Sequence, residues 1–537
     1  MNNPVDFGTY DYVVIGSGSA GSAIAARLAE MPSSSVLVLE AGPAADNFWL
    51  TWPIGYAKIL ANPDLMWPFE SEPEPNLNGR RISAMRGRVV GGGSSVNGMI
   101  YVRGDASDYD TWRQLGNAGW AYKDVLPYFR KAERYERGSS TYHGDDGPIG
   151  VEGVRWRNPL AEAFIDAAES VGIPRTDDFC GATMEGVGYY QSSTWKGRRS
   201  SAAGYLRRMK AQKNLNLVPN ALVTGLILEG RVARGVRFER DGVQHNVQAR
   251  REVILSSGSI VTPKLLQLSG IGPGALLQEH GIAVAHDLPG VGENLIDHLS
   301  AKRGYTTSSS YTMNAMMQSL PAKAWAGLQY LTTRMGPLAA SVASAGGFAR
   351  TRPEVEVPDV QLFMIPFNSG EYWDKLAKAS SFQIVMCQLR PESRGHVRIA
   401  SSDPYASPVI APNYLSDPRD VQTTLDGMRL IQKIGVAGPL RALESRQTQP
   451  QTPDESDESL LSYIRETAIT TWHHVGTCKM GNDALAVVDA ELKVHGIDRL
   501  RVVDGSIMPT LISGNTNAAC IMIGEKGADI VKQAAKR

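Results

Sequence analysis

Three glycines near the start of the chain have the spacing of a phosphate-binding turn. An apolar run ends at Ile15, the glycines follow as Gly16-x-Gly18-x-x-Gly21, and a helical pattern comes next. The first glycine permits a tight turn, the second lets the backbone approach a pyrophosphate, and the third lets helix and strand pack closely. Glu40 ends the next apolar run, about 20 residues further on, where a carboxylate would bind a ribose hydroxyl. The spacing predicts a dinucleotide site with its phosphates at the positive end of a helix.

The elements that position this motif follow from the pattern of apolar residues. Apolar runs at 12–15 and 36–39 predict strands on either side of the helix. The wider pattern predicts a strand-rich segment at 215–255, strands at 359–365, 382–389, 395–400 and 500–504, a glycine- and serine-rich loop at 84–104, and helices at 107–135, 160–172, 260–268, 274–280, 419–434, 456–467 and 521–535. The end of the chain repeats the order of a strand, a loop and a helix that opens it. This similarity predicts a ligand-binding domain that is split in sequence and a second domain formed by the middle of the chain.

Composition narrows the class of function. Of 537 residues, 55 are Lys or Arg and 55 are Asp or Glu, so no overall field attracts nucleic acid or an anionic membrane. The four cysteines form no CxxC pair, which favours buried thiols over a disulfide framework or a metal site. The N-terminus has no signal-peptide pattern, and no stretch reaches the ~18 apolar residues of a membrane span. We expect a cytoplasmic protein that acts on a small molecule, without a metal; its oligomeric state is open.

Four further groups of residues carry glycine, serine, histidine or asparagine at positions suited to chemistry. They are GRVVGGGSSVNGMIY (87–101), GSIVTPKLLQLSGIG (258–272), WHHVGTCKMG (472–481), and VDGSIMP (503–509) with SGNTN (513–517). Together with the opening glycines they resemble the glucose-methanol-choline (GMC) oxidoreductase family of flavoproteins, and within it the hydroxymethylfurfural oxidase and aryl-alcohol oxidase members. The resemblance extends over about residues 9–535, although the segment 300–470 carries little of it.

The resemblance implies an α/β protein with a Rossmann-like FAD-binding domain of GMC type. That domain would be discontinuous, formed by residues 1–155, 200–300 and 470–537. A substrate-binding domain of α+β type, residues 156–199 and 301–469, would be built on an antiparallel sheet flanked by helices. Some family members attach FAD through a histidine at the position that Val96 occupies here, so we expect non-covalent FAD.

The resemblance also implies a set of cofactor contacts. Gly16, Gly18 and Gly21 would hold the pyrophosphate, Glu40 the adenosine ribose, and the backbone of Val223 the adenine. The loop from Gly91 to Asn97 would run beside the isoalloxazine ring. The full predicted set is Gly16, Gly18, Ser19, Ala20, Gly21, Glu40, Ala41, Arg88, Gly91, Gly92, Ser95, Asn97, Gly98, Met99, Val223, Asp504, Gly505, Asn515 and Thr516.

Oxidation of an alcohol requires a base for the hydroxyl proton and an acceptor for the hydride, and a histidine suits the first task. The family places its base at the position of His473, with hydride passing to flavin N5. Since neighbouring side chains of an extended segment point in opposite directions, His474 would pack or form hydrogen bonds instead. Asn515 would steady the alkoxide, and Asn517 is close enough to compete for that role. His298, in PGVGENLIDH (289–298), is interpreted as a structural histidine.

The substrate contacts predicted are Met99, Tyr101, Phe363, Phe367, Trp472 and His473. These side chains offer no anionic cage for a quaternary ammonium, which favours a primary aromatic, furanic or allylic alcohol. Three alternatives stay open: a choline- or polyethylene-glycol-type alcohol dehydrogenase, a hydroxynitrile lyase that uses flavin as a scaffold, and NAD as the dinucleotide of the opening motif. The motifs are compatible with O2 or with another electron acceptor.

Overall fold

Two seven-stranded sheets organise the chain, seen in a computed structural model that describes residues 4–368, 376–451 and 454–536. The first sheet is mixed. Its strand Val5–Ile15 pairs in parallel with Val36–Leu39 and with Val243–Leu255, which in turn pairs with Leu500–Val502 from the far end of the chain. In order across the sheet the strands are Leu215–Val218, Val36–Leu39, Val5–Ile15, Val243–Leu255, Val232–Arg240 and Leu222–Glu229, with Leu500–Val502 beside Val243–Leu255.

The helices at the two ends of the chain pack against each other beside this sheet. Ser19–Ala29 contacts Asn517–Ala534, and a Cβ on Gly524 would lie 2.4 Å from the carbonyl oxygen of Ala20. Such close packing requires glycine at this crossing. The Nε of Arg27 also donates to Glu525 at 2.8 Å. The C-terminal helix therefore completes the layer that begins with the opening motif.

The second sheet is antiparallel throughout its described pairs. Its strands, in order, are Arg446–Gln449, Leu299–Thr306, Ser381–Gln388, Val360–Ile365, Ala345–Ala349 and Gly186–Tyr189, with Ile469–Thr470 beside Leu299–Thr306. The helix Pro418–Gly435 packs on the strands Leu299–Thr306 and Ser381–Gln388, and Pro159–Ser170 packs on the two strands at the opposite edge. Every residue of Val360–Ile365 and Ser381–Gln388 is buried.

The remaining elements connect and flank the sheets. The other α-helices are Tyr56–Leu60, Gly93–Val96, Ala106–Gln114, Tyr122–Ala132, Ala203–Arg208, Gly258–Leu268, Gly274–Glu279, Met313–Gln318, Leu320–Thr333, Gly438–Arg441 and Asp457–Thr467. Short strands pair as Met66–Trp67 with Arg86–Gly87, Glu133–Tyr135 with Ile149–Val151, Thr194–Trp195 with Arg198–Arg199, Ile271–Gly272 with His286–Asp287, and His396–Arg398 with Val409–Ala411. Five 3-10 helices lie at Phe48–Leu50, Pro53–Gly55, Pro75–Leu77, Pro337–Ala339 and Gly505–Ile507 within the described residues.

The predicted α/β architecture with a second, antiparallel sheet is confirmed. The strands of the two sheets separate along the chain close to the predicted domain limits at 300 and 470. The two-domain division stays a prediction, and this separation is the observation that supports it. No helix among residues 4–368, 376–451 and 454–536 combines the length and apolar character needed to cross a bilayer.

Two local predictions are wrong. The single helix predicted at 107–135 is two helices followed by a strand, because Gly116 and Gly119 take φ values of +97° and +84° between them. These left-handed conformations cannot continue a helix. The helix predicted at 521–535 begins earlier, at Asn517. The helix Leu320–Thr333 lies where the sequence pattern predicted no element.

Candidate active site

A cavity of about 540 Å³ lies between the two sheets. Ile15 and Leu39 from the first sheet line it, as do Phe363 and Val385 from the second. The cavity is therefore where a cofactor held by the first sheet would meet a substrate held by the second.

The opening glycines form one end of this cavity. A Cβ on Gly16 would lie 2.5 Å from the carbonyl oxygen of Ser256, and one on Gly21 would lie 2.0 Å from that of Gly16. A Cβ on Gly18 would meet no protein atom within 4 Å, so it would project into the cavity. The helix Ser19–Ala29 starts here without a side-chain cap. Its free N–H groups and the space beside Gly18 fit a pyrophosphate.

Glu40 lies at the same end and is held in one orientation. Its Oε2 accepts hydrogen bonds from the backbone N–H of Ser17 at 2.9 Å and from the Ser17 hydroxyl at 2.7 Å. Its Oε1 accepts one from the Gly42 N–H at 2.9 Å. Burial raises the pKa of this carboxyl. Since a carboxylate has about four acceptor positions, Oε1 keeps one for a ligand hydroxyl.

The serine- and glycine-rich loop lies against the glycine motif. A Cβ on Gly92 would be 2.7 Å from the Cα of Gly18. Further along the loop, Asn97 accepts a hydrogen bond at its Oδ1 from the Met99 N–H, at 3.1 Å. The buried guanidinium of Arg199 donates to the same oxygen at 2.8 Å. Arg199 thus fixes Asn97 at the cavity wall, a role that the sequence patterns did not indicate.

His473 lines the cavity and is only 8% exposed. Its backbone N–H donates to Asp297 at 2.7 Å. The other oxygen of Asp297 accepts from the hydroxyls of Tyr414 and Thr470, each at 2.5 Å. Burial raises the pKa of Asp297 to about 6. This buried carboxyl anchors the backbone of His473, and Trp472 beside it takes a positive φ of 61°.

The hydrogen bonds of His298 define the tautomer of His473. The Nε2 of His298 lies 3.0 Å from the carbonyl oxygen of Leu389 and must donate to it. Burial lowers the pKa of His298 to about 4, so its ring is neutral and its Nδ1 can only accept. That Nδ1 lies 2.9 Å from the Nδ1 of His473. His473 therefore carries its proton on Nδ1, and its Nε2 is a bare base.

Asn515 contacts this bare nitrogen. Its Nδ2 lies 3.2 Å from the Nε2 of His473, and its Oδ1 accepts a hydrogen bond from Gln361 at 3.0 Å. Gln361 thereby sets the orientation of the amide, so that the N–H side faces His473. Asn517 takes another role, since its Oδ1 accepts from the Ser19 hydroxyl at 2.7 Å.

The surroundings of His473 hold its ring in the neutral form. Burial is the first cause that lowers the pKa of His473 well below its usual range, and the nearby His298 and Arg86 add to it. Arg86 also donates through Nη2 to the Nδ1 of His474. Burial lowers the pKa of His474 too, so both neighbouring rings are neutral at neutral pH.

Most residues predicted for the cofactor line the cavity: Gly16, Gly18, Ser19, Ala20, Glu40, Ala41, Gly92, Asn97, Gly98, Met99, Val223, Asp504, Gly505, Asn515 and Thr516. Of the substrate contacts, Met99, Phe363, Trp472 and His473 line it as well. Asp504 is held by N–H donors from Gly258 at 2.9 Å and Ser506 at 2.8 Å, and by the Thr262 hydroxyl at 2.7 Å.

Six predicted residues lie behind the cavity wall instead: Gly21, Arg88, Gly91, Ser95, Tyr101 and Phe367. The guanidinium of Arg88 stacks on the ring of Trp67 at 4.7 Å. The Ser95 hydroxyl donates to the carbonyl of Val90 at 2.9 Å and shapes the loop. Tyr101 belongs to the main apolar core, and Phe367 to a smaller cluster beside Phe363. The structure thus places neither Tyr101 nor Phe367 on the cavity wall.

Sequence reasoning missed Gln361, Arg86 and Asp297, and it gave His298 no part in the site. One signal was present for Gln361, which is a polar residue inside the apolar run 359–365. A polar side chain in a strand buried on both faces requires a partner. Asp297 and His298 are adjacent in a glycine-rich segment, and only their contacts with His473 reveal their role.

Comparison with known proteins agrees with this geometry. Two family profiles, both described as GMC oxidoreductase, match residues 10–300 and 391–524. An alcohol dehydrogenase [acceptor] of Pseudomonas putida is 39% identical over 97% of this chain and 95% of its own length. An oxygen-dependent choline dehydrogenase of Pseudomonas entomophila (strain L48) is 42% identical over 97% of this chain and 94% of its own.

Solved structures with the same fold cover nearly the whole chain. A variant of Aspergillus oryzae RIB40 formate oxidase, studied for FAD modification, has a TM-score of 0.92 at 27% identity and covers 99% of both chains. A fungal aryl-alcohol oxidase has a TM-score of 0.86 at 26% identity, covering 98% of this chain and 99% of the other.

Proposed function

The chain belongs to the GMC oxidoreductase family and is an FAD-dependent alcohol oxidoreductase that acts on CH–OH donors, and we propose that its substrate is a primary aromatic, furanic or allylic alcohol, oxidised to the aldehyde. The observation that carries the proposal is the pair His473 and Asn515 in a cavity that Phe363, Val385 and Trp472 also line. Electrons would pass to O2 or another acceptor, in the cytoplasm.

FAD fits the residues that are present. The space beside Gly18, the uncapped helix at Ser19 and the remaining acceptor position of Glu40 match a pyrophosphate and a ribose. When bound, FAD would supply an acceptor for the hydride that leaves the alcohol carbon. Val96, a cavity-lining residue without a nucleophile, supports non-covalent binding.

The chain's own groups would handle the proton. The bare Nε2 of His473 accepts the hydroxyl proton, while the Nδ1 proton stays on the side of His298. As the alcohol oxygen becomes negative, the Nδ2 of Asn515 donates to it without competing for its proton. Asn515 and Nε2 thus hold the oxygen between one donor and one acceptor, which orients the neighbouring C–H bond.

The charges around the cavity support a neutral substrate. Among the described residues that line it, the carboxylates are Glu40 and Asp504. Both are held by backbone N–H donors at the end of the cavity formed by the glycine motif and the C-terminal helix. Phe363, Val385 and Trp472 line the cavity together with the basic side chains of Arg86 and Lys302. Apolar rings without a carboxylate to pair with a cation favour an uncharged alcohol over a quaternary ammonium.

A choline-type activity is the competing substrate class, and one comparison separates the two. We would measure anaerobic flavin reduction by benzyl alcohol, choline and 3,3-dimethylbutan-1-ol, the uncharged carbon analogue of choline. The proposal expects benzyl alcohol to react fastest and the uncharged analogue to react faster than choline. Faster reduction by choline than by its analogue would contradict the substrate class.

Two further measurements complete the test. A flavin that stays oxidised with every alcohol while the protein splits mandelonitrile would indicate a lyase. Acid precipitation should leave FAD in the supernatant, and a flavin that stays with the pellet would contradict non-covalent attachment.

A further inference from the structure

The helix Leu320–Thr333 presents large apolar side chains to solvent. Leu320 is 77% exposed, Trp325 65%, Leu328 53% and Leu331 61%. Residues 325, 328 and 331 follow each other at intervals of three, so they share one side of the helix. Ala326 and Tyr330 on the other side are buried and attach the helix to the protein. Within residues 4–368, 376–451 and 454–536 these side chains stay exposed, so packing against that part of the chain does not account for their apolar character.

A second exposed apolar segment lies near the side of the helix that carries the buried Tyr330. Phe48 is 55% exposed and Trp49 38%. Their rings contact Trp52, at centroid distances of 4.7 Å and 6.2 Å, and Trp52 contacts Tyr330 on the helix at 4.6 Å. We name as the apolar face the residues Phe48, Trp49, Leu320, Trp325, Leu328, Leu331 and Met335. Large exposed apolar side chains in two adjoining segments indicate an interaction site.

The charges on the helix side of the apolar face are basic, whereas beside its other segment the exposed carboxylate of Asp46 lies two residues before Phe48. Between Asp297 and Glu354 the sequence contains no Asp or Glu, whereas Lys323 and Arg334 lie on or next to the helix. Arg334 places its guanidinium over the Tyr330 ring at 4.9 Å. Arg198, exposed on a neighbouring strand, is near enough to influence the same tyrosine. A surface that fits here must tolerate or attract positive charge.

Self-association fits this charge pattern poorly. In a twofold contact the same patch meets itself, so Lys323 and Arg334 would face their own copies. The helix segment supplies no carboxylate to pair with them. Anionic lipid headgroups supply the missing negative charge, and the acyl region accepts leucine and tryptophan side chains.

We propose that the apolar face docks on the surface of a bilayer containing anionic lipid. The helix has 14 residues, fewer than the ~20 of a spanning helix, so it would lie in the plane of the interface. Trp325 and Trp49 would sit at the headgroup level, and the basic residues would contact phosphate groups. The chain reaches the cavity soon after the helix, because Val342 and Ala343 line it. The enzyme would therefore work at the membrane surface.

Vesicle flotation of the FAD-loaded enzyme tests this inference. The probes are vesicles of phosphatidylcholine alone and of phosphatidylcholine with one third phosphatidylglycerol, at low and high salt. We expect flotation with the anionic vesicles at low salt, and a partition at least ~10-fold lower for Trp325→Ser/Leu328→Ser/Leu331→Ser. Lys323→Glu/Arg198→Glu should weaken the same binding and reduce its salt dependence.

A matched control removes exposed apolar residues elsewhere: Leu115→Ser/Val243→Ser/Leu485→Ser should float like the unmodified enzyme. All variants should keep turnover with a soluble dye. If the helix variant proves unstable, amide hydrogen exchange of 320–333 in the unmodified enzyme should slow on adding anionic vesicles.

Three results would overturn the inference. One is that the unmodified enzyme stays with the buffer at low salt, and another is that the helix variant floats equally well. The third is that sedimentation shows a dimer that the helix variant abolishes, without vesicle binding, since the face would then join two copies of the chain.

Discussion

The Nδ1 of His298 lies 2.9 Å from the Nδ1 of His473, and the carbonyl of Leu389 on the far side of His298 decides which ring owns the proton. His298 donates to the carbonyl and accepts from His473. His298, which does not line the cavity, thus fixes the tautomer of His473 before substrate binds.

Removing His298 should reduce the rate while leaving substrate binding nearly unchanged. We expect His298→Ala to lower kcat by about 10-fold or more with little change in KM, because the ring of His473 loses its preferred tautomer. His298→Asn should recover part of the loss, since its amide oxygen can accept from Nδ1. Stopped-flow flavin reduction gives both values. Equal losses in the two variants would point to a packing role alone.

His473 itself should be far more sensitive. Loss of a general base costs about 10²–10⁴-fold, so we expect a decrease of this size in the flavin-reduction rate of His473→Ala. His280→Ala, a histidine that does not line the cavity, is the control. A fully active His473→Ala would remove the base from the mechanism.

Gln361 should act through Asn515. In Gln361→Glu the new carboxylate would attract the amide N–H of Asn515, turning its oxygen toward the lone pair of His473. We expect kcat/KM to fall by about 10-fold, and Asn515→Ala to add little in that background. Independent, additive losses in the double variant would show that the two residues do not act together.

The enzyme should remain active well into the acid pH range. The active base is the deprotonated imidazole, and burial lowers the pKa of His473. As pH falls, protonation and loss of kcat/KM should therefore begin below the ordinary histidine value of about 6.5. Initial rates with an uncharged alcohol in buffers of constant ionic strength measure this limb. An acid limb centred above that value would contradict a desolvated base.

Two glycines of one motif should fail in different ways. Gly21→Ala places a Cβ 2.0 Å from a carbonyl oxygen and should destabilise the fold by about 1–3 kcal/mol. The Cβ that Gly18→Ala adds would project into open space, so the melting temperature of this variant without FAD should be unchanged. Its affinity for FAD should fall by ~10-fold or more, because the pyrophosphate needs that space. Calorimetry and flavin titration separate the two effects. A stable Gly21→Ala, or tight FAD binding by Gly18→Ala, would contradict this division.

Local chemistry explains what the sequence could predict. The glycine turn and Glu40 lie within one strand–helix–strand unit, so their spacing alone dictates their geometry. The long buried strands also follow from their apolar runs. The break at Gly116 and the helix at Leu320 have local signals, a pair of glycines and a Ser319 cap followed by Pro321, but the apolar periodicity alone indicated neither.

The partners of the base could not be derived in the same way. Gln361 and Asn515 are 154 residues apart in sequence, and His298 and His473 are 175 apart. Such pairs meet only because the second sheet and the C-terminal segment face each other across the cavity. In a single sequence, the polar residue Gln361 within an apolar strand is the one sign of these contacts.

The hydrogen bond from His298 to the Leu389 carbonyl also blocks one route by which a proton could leave the active site. A carbonyl oxygen cannot relay a proton, so the path from His473 through His298 is a dead end. The other neighbour of Nδ1, the Thr471 hydroxyl at 3.0 Å, lines the cavity, so a proton captured at Nε2 leaves the histidine toward the cavity that the alcohol entered. Resetting the enzyme for its next turnover is therefore tied to the departure of the aldehyde.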